Sequence, residues 1–311
     1  MLLRLPFARR GGKSPDQRSG PIAAGRPGPG GGKTNRQTMF QAAKPKSTFS
    51  LALNTIEVTY HATARKVREK HGNAVLSILI SLVQSVLFVA AFYGIFAIMG
   101  VRSVGIRGDF LLYLMTGVFA FLTHIQTIRQ IMGTESSTSG MMQHAPMNTL
   151  ISLLSGAFSI LYIKLLSLFF ILMLLHTVFN PISIHYWPGA LAMFFLAWGT
   201  GCVLGLVFYA AKPWIPDLIG IISMVYIRLN MIASGKMFVA NTMPTAILEW
   251  FDWNPLFHII DQARGFVFVN YFPNYSNWQY PLYFMLTLLV LGMMLEAYTR
   301  KHESASWSAK R

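Results

Sequence analysis

The chain has 311 residues, of which 53% are hydrophobic and only 12% are charged, and its formal net charge is +15 at pH 7. Soluble domains usually carry about 25% charged residues, and several apolar runs of this chain exceed the roughly 18 to 20 residues that cross a bilayer. The composition therefore excludes an ordinary soluble domain, and because the apolar runs do not alternate with polar residues they also exclude a β-barrel. We predict an all-α integral membrane protein.

Residues 1–46 are predicted to form a disordered, basic cytoplasmic tail. They are rich in Gly and Pro, and they contain ten Lys or Arg residues against a single acid, Asp16. Such a segment cannot bury enough apolar surface to fold. Nucleic-acid binding would explain a basic tail, but the positive-inside bias of membrane proteins is the simpler explanation, so we expect no nucleic-acid partner.

Two pieces of this tail resemble the end of a phosphate-binding P-loop, GGKS at residues 11–14 and GGKT at residues 31–34. A P-loop requires a glycine five positions before the Gly-Lys pair, and Phe7 and Pro27 occupy those positions. We therefore predict no nucleotide site in this chain.

Residues 47–72 are predicted to form an amphipathic helix that lies in the membrane interface. Apolar side chains recur at helical spacing on one face, at Phe49, Leu53, Ile56, Tyr60 and Val67. Arg65, Lys66, Arg68 and Lys70 place a basic end near anionic headgroups. A solvated cytosolic helix is the alternative.

Six membrane spans are predicted within a transmembrane domain of residues 73–301. They cover residues 74–100, 110–132, 159–179, 189–211, 218–239 and 280–298. Lys164 lies close enough to one end of the third span to reach the interface. An even number of spans puts both termini on one side, and the basic clusters identify that side as the cytoplasm, with residues 302–311 as a second tail.

The polar stretch of residues 133–148 is the longest predicted cytosolic connection between spans. It carries Met141, Met142, His144 and Pro146. Flexible methionine side chains suit a groove on a partner protein, and an ordinary surface loop is an equal alternative.

Arg228 lies near the middle of the predicted fifth span. A charge at that depth is costly unless it faces partners or water. It lines the bundle or a channel, or else it forms a structural ion pair or reaches toward the interface, and the sequence leaves both interpretations open.

The stretch WFDWNPLFHIIDQARGFVF, residues 250–268, is too polar to cross a bilayer and too apolar for a solvated loop. His258 and Asp261 stand three residues apart on a predicted helix, where they could serve as an acid and a base. The chain contains none of the common metal-binding or nucleophile motifs, which disfavours an enzyme site.

Aromatic residues cluster at the predicted outer boundary, at Trp187, Trp250, Trp253, Tyr271, Tyr275, Trp278 and Tyr280. An interfacial aromatic belt accounts for them, and stacking on the sugar rings of a passing glycan is the alternative.

The last third of the chain resembles the ABC-2 type exporter permeases, within the subgroup that exports capsular polysaccharide or O-antigen. The resemblance rests on IASGKMF with Ser234, Gly235 and Phe238, then Pro244, then Asn-Pro-Leu at Asn254, Pro255 and Leu256, then Arg264. It covers about residues 49–301, since the interface helix and the six spans also fit. Lys236 departs from the apolar residue that the family pattern has at this position.

The resemblance implies that residues 244–272 form two short helices that enter the outer half of the membrane and turn back. It implies an outer gate made of Trp250, Trp253, Asn254, Pro255, His258, Asp261 and Arg264. We expect the translocation path to include Arg228, Ser234 and Gly235. Met141, Met142, His144 and Pro146 are the candidates for coupling to an ATPase.

Elementary chemistry adds expectations for this gate. Asn254 can cap a helix with Pro255 at its first position. Phe257, Ile260 and Phe268 are then expected to face the bundle, while His258, Asp261 and Arg264 contact water or each other, because non-spanning backbone at membrane depth must be covered by protein or water.

The function implied by the resemblance is that of a permease subunit and not of an enzyme. Two permeases and two ATPase subunits would export a lipid-linked polysaccharide or glycolipid across the bacterial inner membrane. ATP and Mg would bind to the ATPase chain, and this chain would bind no cofactor. The alternatives are an exporter of a drug or small lipid, a membrane enzyme that uses His258 and Asp261 on lipid-linked sugars, and a membrane scaffold.

Overall fold

The computed structural model describes residues 48–69, 73–100, 108–134, 149–178 and 181–309. Within these ranges all regular secondary structure is helical. The α-helices are α1 (Thr48–Glu69), α2 (Ala74–Ile98), α3 (Phe110–Met132), α4 (Thr149–Val178), α5 (Trp187–Ala211), α6 (Pro216–Ala233), α7 (Thr245–Leu248), α8 (Pro255–Val267) and α9 (Gln279–Ala309), with a 3-10 helix at Ala240–Thr242.

Six of the described helices, α2 to α6 and α9, are long and apolar enough to cross a membrane. The predicted all-α fold with six membrane helices is therefore confirmed. The predicted tail of residues 1–46 and the coupling residues Met141, Met142, His144 and Pro146 lie outside the described residues.

Helix α4 begins at Thr149, well before the predicted start of the third span at residue 159. Serines made this part of the sequence look polar, but they face the protein. Ser155, for example, is fully buried and donates to the carbonyl of Ser152 at 3.0 Å. Hydroxyls that bond back to their own helix do not need water, so the span can extend through them.

Lys164 consequently lies in the middle of α4, where it is 0% exposed. Its Nζ donates to the hydroxyls of Ser81 at 3.3 Å and Ser85 at 3.2 Å, both on α2. The prediction that Lys164 reaches the interface is wrong, because the side chain has partners inside the bundle.

Helix α1 packs along α4. Thr59, Ala62 and Val67 are buried, and the Lys66 ammonium donates to the Ser152 carbonyl at 2.8 Å. Leu53, Ile56 and Tyr60 are exposed, as expected of a helix with an apolar face turned to lipid. Val67 was predicted on that face, but it belongs to the contact with the protein.

Helix α3 is the centre of the bundle, and most of its side chains are buried. Helix α5 approaches it closely because glycines occupy the contact: a Cβ on Gly201 would come within 2.7 Å of the His124 carbonyl oxygen. Small residues that let backbones approach are the usual means of packing membrane helices.

Helix α8 does not span the membrane, yet it belongs to the core. Leu256, Ile259 and Ile260 are fully buried against α3 and α5. The predicted inward direction of Phe257, Ile260 and Phe268 is confirmed, since all three are buried.

Helix α6 differs from the other spans because few of its side chains contact the rest of the chain. Its apolar side chains are mostly exposed, at Ile221, Ile222, Met224, Val225, Leu229, Met231 and Ile232. The buried residues of this helix are Ser223, Asn230 and Ala233. The inward stripe thus combines these small or polar residues with the partly buried Ile219, Tyr226 and Ile227, and the outward surface is apolar.

Candidate functional site

The candidate site is the segment after α6, residues 234–278, which we call the hairpin segment. It contains the Ser234-Gly235 turn, α7, α8 and the connection to α9. Its polar side chains were the residues that the sequence singled out, so their contacts decide what the segment can do.

Asn254 starts α8 and joins it to α6. Its Oδ1 accepts from the Leu256 amide at 3.0 Å, and Pro255 occupies the first helical turn, so the predicted cap is confirmed. Its Nδ2 donates to Asn230 Oδ1 at 3.0 Å and to the Ala233 carbonyl at 2.8 Å. One buried amide therefore ties the start of α8 to the end of α6.

Arg264 caps the turn that follows α6. Its guanidinium donates to the carbonyls of Gly235 at 2.9 Å, Lys236 at 3.0 Å and Phe238 at 2.7 Å. It also lies 4.1 Å from the centre of the Tyr113 ring and is 1% exposed. A cation is favourable here because carbonyl oxygens without helical partners concentrate negative charge at a helix C-terminus.

The turn itself requires glycine at position 235. Gly235 has φ +72, and a Cβ there would come within 2.8 Å of the Phe257 ring. Ser234 is fully buried beside it. Within one chain, therefore, Gly235 packs against Phe257 of α8, and Ser234 is buried next to it.

Asp261 is 1% exposed and accepts two hydroxyl hydrogen bonds, from Tyr271 and from Ser276 at 2.7 Å. Burial raises the pKa of Tyr271, and the adjacent Asp261 carboxylate raises it further. Tyr271 therefore stays protonated, and its hydroxyl donates a hydrogen bond to Asp261. This bond fixes the connection between α8 and α9.

His258 is 4% exposed and is held by backbone groups on both sides. Its Nδ1 lies 3.3 Å from the Asn277 amide, which can only donate, so the ring proton is on Nε2. Nε2 faces the Asp252 carbonyl at 2.8 Å and the Asp252 carboxylate at 3.3 Å. The two ring nitrogens thus join the turn between α7 and α8 to the connection that leads into α9.

The expectation that His258, Asp261 and Arg264 contact water or each other is wrong. Each is buried, and each has partners in another part of the chain, as described above. An acid–base pair of His258 and Asp261 is not formed either, because their ring and carboxylate bond to different groups. These polar residues hold the hairpin segment to the bundle.

One exposed part of the segment is the turn between α7 and α8. Trp250 is 77% exposed, and Trp253 is half-exposed. The turn is held by hydrogen bonds from Trp253 Nε1 to the Trp250 carbonyl and from the Tyr280 hydroxyl to the Trp253 carbonyl, both at 2.7 Å. Two large rings are thereby presented on a fixed backbone.

Arg228 is exposed, like the apolar side chains around it on the outward surface of α6. Lys236, by contrast, is 1% exposed: its Nζ donates to the Met231 carbonyl and lies 4.1 Å from the Phe121 ring centre. The departure from the family pattern at Lys236 is accommodated by an aromatic contact inside the bundle.

His124, Tyr226 and Asn230 were not singled out from the sequence. They connect α3, α6 and α8 through two hydrogen bonds. The Tyr226 hydroxyl lies 3.0 Å from His124 Nε2, and Asn254 Nδ2 donates to Asn230 Oδ1 at 3.0 Å. A histidine and an asparagine inside otherwise apolar spans are the signal that would have identified them.

Comparison with known proteins gives an independent finding. The chain is 20% identical over 256 residues to two Escherichia coli proteins, each described as polysialic acid transport protein KpsM. The aligned region covers 80% of this chain and 95% of each relative. No protein-family model matches the chain.

Proposed function

We propose that this chain, as a relative of the ABC-2 type permeases that export capsular polysaccharide, is the membrane-spanning subunit of an ATP-driven exporter. The similarity to polysaccharide transport proteins over 95% of their length carries this proposal. This similarity confirms the family resemblance that the sequence motifs of the last third of the chain indicated. The six membrane helices and the capped α8 support it from the structure.

The energy source in this proposal is a separate ATPase chain that binds ATP and Mg. Neither Gly-Lys piece of this sequence has the upstream glycine of a P-loop. Nucleotide-driven movement would reach the spans through the cytosolic loop of residues 133–148 and through α1. In this proposal both termini lie in the cytoplasm, and the hairpin segment therefore faces the outside.

The proposed assembly is a permease homodimer with α6 at the translocation path. Arg228 supports this placement, because a guanidinium at membrane depth is costly against lipid and tolerable against protein or water. The surrounding exposed side chains of α6 are apolar and suit contact with a second copy. Two copies of Arg228 would then stand near the path.

The proposed substrate is a lipid-linked polysaccharide moving from the cytoplasm outward. An apolar groove beside the hairpin segment supports the proposal that the substrate carries a lipid. It runs between α3, α4 and α5, and Ala263 and Val267 of α8 form part of its wall. Such a groove would hold a lipid tail while the glycan passes along α6.

The decisive experiment combines purification and export. The full chain, tagged and isolated from its native membranes, is expected to bring down an ATPase, and its deletion is expected to remove a surface glycan that then accumulates inside the cell. Loss of resistance to a drug with a normal cell surface would instead favour the small-molecule exporter. ATP hydrolysis by this chain alone would contradict the proposal.

Arg228→Leu is expected to reduce glycan export to roughly a tenth, because charged side chains that line a pathway control what passes. Membrane insertion should be unchanged, since leucine is favourable in a span. Arg228→Lys keeps the charge and serves as the matched control, with export closer to that of the unmodified chain. Normal export by Arg228→Leu would show that this arginine is not part of the path.

Thiol labelling from outside the cell is expected to divide the hairpin segment in two. After Cys202→Ser removes the native thiol, Trp250→Cys should react readily with an impermeant maleimide because the position is exposed. Ile260→Cys should react slowly because the position is fully buried. Equal labelling of both positions would mean that the segment is an open extracellular loop.

A further inference from the structure

Helix α6 is attached to its own chain along one narrow stripe. Tyr226 and Asn230 lie four residues apart, and at about 100° per residue they differ by roughly 40° around the helix axis. Arg228 lies two residues from Tyr226, roughly 200° away and hence on the opposite side. Whatever holds Tyr226 inward therefore holds Arg228 outward.

His124 of α3 is the residue that holds Tyr226. Its Nδ1 lies 3.1 Å from the Ala197 carbonyl oxygen, which can only accept, so Nδ1 carries the ring proton. Nε2 is then the acceptor, and the Tyr226 hydroxyl donates to it at 3.0 Å. Thr200 Oγ1 lies 3.1 Å from Nδ1 and completes the surroundings of the imidazole.

The orientation of this imidazole is fixed before α6 is considered. His124, on α3, is fully buried where this helix meets α5, and its Nδ1 faces the Ala197 carbonyl of α5. Thr200 donates its hydroxyl proton to the carbonyls of its own helix, so its oxygen faces Nδ1 as a second acceptor and supports the ring proton on Nδ1. The ring therefore presents an acceptor at a set place, to which Tyr226 must turn.

A second contact lies one helical turn along α6, where Asn230 accepts from Asn254. That contact joins α6 to α8, whereas the contact at Tyr226 joins α6 to the central helix α3. Ile219 and Ile227 pack against the core, but most other apolar side chains of α6 are exposed, so the rotation of this helix depends on such hydrogen bonds as well as on apolar packing.

We propose that His124 is a positioning residue for the translocation path: through the Tyr226 hydroxyl it fixes the rotation of α6 and keeps Arg228 on the outward surface. The role assigned to Arg228 rests on the proposed function. The contact between His124 and Tyr226 stands on the geometry of the chain.

The test compares variants that keep or lose one hydrogen bond. Tyr226→Phe removes only the donor. His124→Asn keeps an amide near the position of Nδ1, but its side chain is too short to accept from the Tyr226 hydroxyl. His124→Gln is longer and places an acceptor near the position of Nε2. Tyr283→Phe, on an exposed tyrosine of α9, is the matched control.

Hydrogen exchange of the full chain in lipid nanodiscs gives the first measurement. Amides of α6 are expected to exchange several-fold faster in Tyr226→Phe and His124→Asn, with no further increase in the double variant, because both remove the same bond. His124→Gln and Tyr283→Phe should exchange like the unmodified chain. Unchanged exchange in α6, additive effects, or an equal increase in α3 and α5 would overturn the proposal.

Glycan export in cells gives the second measurement. Tyr226→Phe and His124→Asn should lower it to the same extent, and His124→Gln should restore it. Faster exchange in α6 with normal export would overturn the positioning role. Because exchange is measured without transport, a failure of the exporter proposal, seen as absence of a bound ATPase, is distinguishable from a failure of the contact.

Discussion

Arg264→Ala is expected to prevent stable folding of the permease. The change removes the donor from two buried carbonyls, those of Gly235 and Lys236, and from the partly buried carbonyl of Phe238. Each buried polar group that loses its partner costs about 1–3 kcal/mol, and whole domains are stable by only about 5–15 kcal/mol. The loss is therefore on the order of the stability itself.

The measurement is the fraction of monodisperse protein that survives a heating series in detergent. Arg264→Lys retains a cation with fewer donors, so its surviving fraction should lie between that of the unmodified chain and that of Arg264→Ala. Arg300→Ala is the control, because Arg300 is half-exposed and pairs with Glu296 at 3.6 Å on the surface of α9. If Arg264→Ala and Arg300→Ala lost stability equally, the guanidinium would not be holding the turn after α6.

Gly201→Ala is expected to destabilise the bundle although alanine is the better helix former. The added Cβ would stand 2.7 Å from the His124 carbonyl oxygen and 3.2 Å from the His124 Cα. Both are backbone atoms of the central helix, so α3 and α5 must separate. Overpacking of this kind typically costs about 1–3 kcal/mol.

Gly220→Ala is the same substitution in another helix, and it is expected to leave the stability unchanged or to raise it. Nothing lies within 4 Å of a Cβ built on Gly220, so only the gain in helix propensity, up to about 1 kcal/mol, remains. Thermal unfolding followed by size-exclusion chromatography should place Gly201→Ala below the unmodified chain and Gly220→Ala at or above it. The reverse order would contradict the close approach of α3 and α5.

The sequence predicted the helices well where one physical signal dominated. The predicted second span, residues 110–132, coincides with α3, because a largely apolar run begins after Asp109 and ends before a stretch of polar residues. The start of α4 was missed because serines lower hydropathy whether they face water or a neighbouring helix. Burial distinguishes the two, and it depends on the helices that pack against these serines, which lie elsewhere in the chain.

The candidate site shows the same division between local and distant information. The cap at Asn254 was predictable because cap and helix are adjacent in sequence. The partners of Arg264 and Asp261 were not, since the carbonyl of Gly235 and the hydroxyl of Ser276 become neighbours only after folding. Polar residues in an apolar segment predicted a need for partners, and the structure identifies them.

The serines that bind Lys164 have a consequence for the synthesis of the chain. A lysine at the centre of a helix disfavours insertion into the bilayer by about 2.5–3.5 kcal/mol. Because Ser81 and Ser85 belong to α2, they emerge from the ribosome before α4 does. If α2 stays beside the translocon, its hydroxyls are ready to receive the ammonium when α4 arrives. The order of the helices along the chain thus lets an early span assist the entry of a later one.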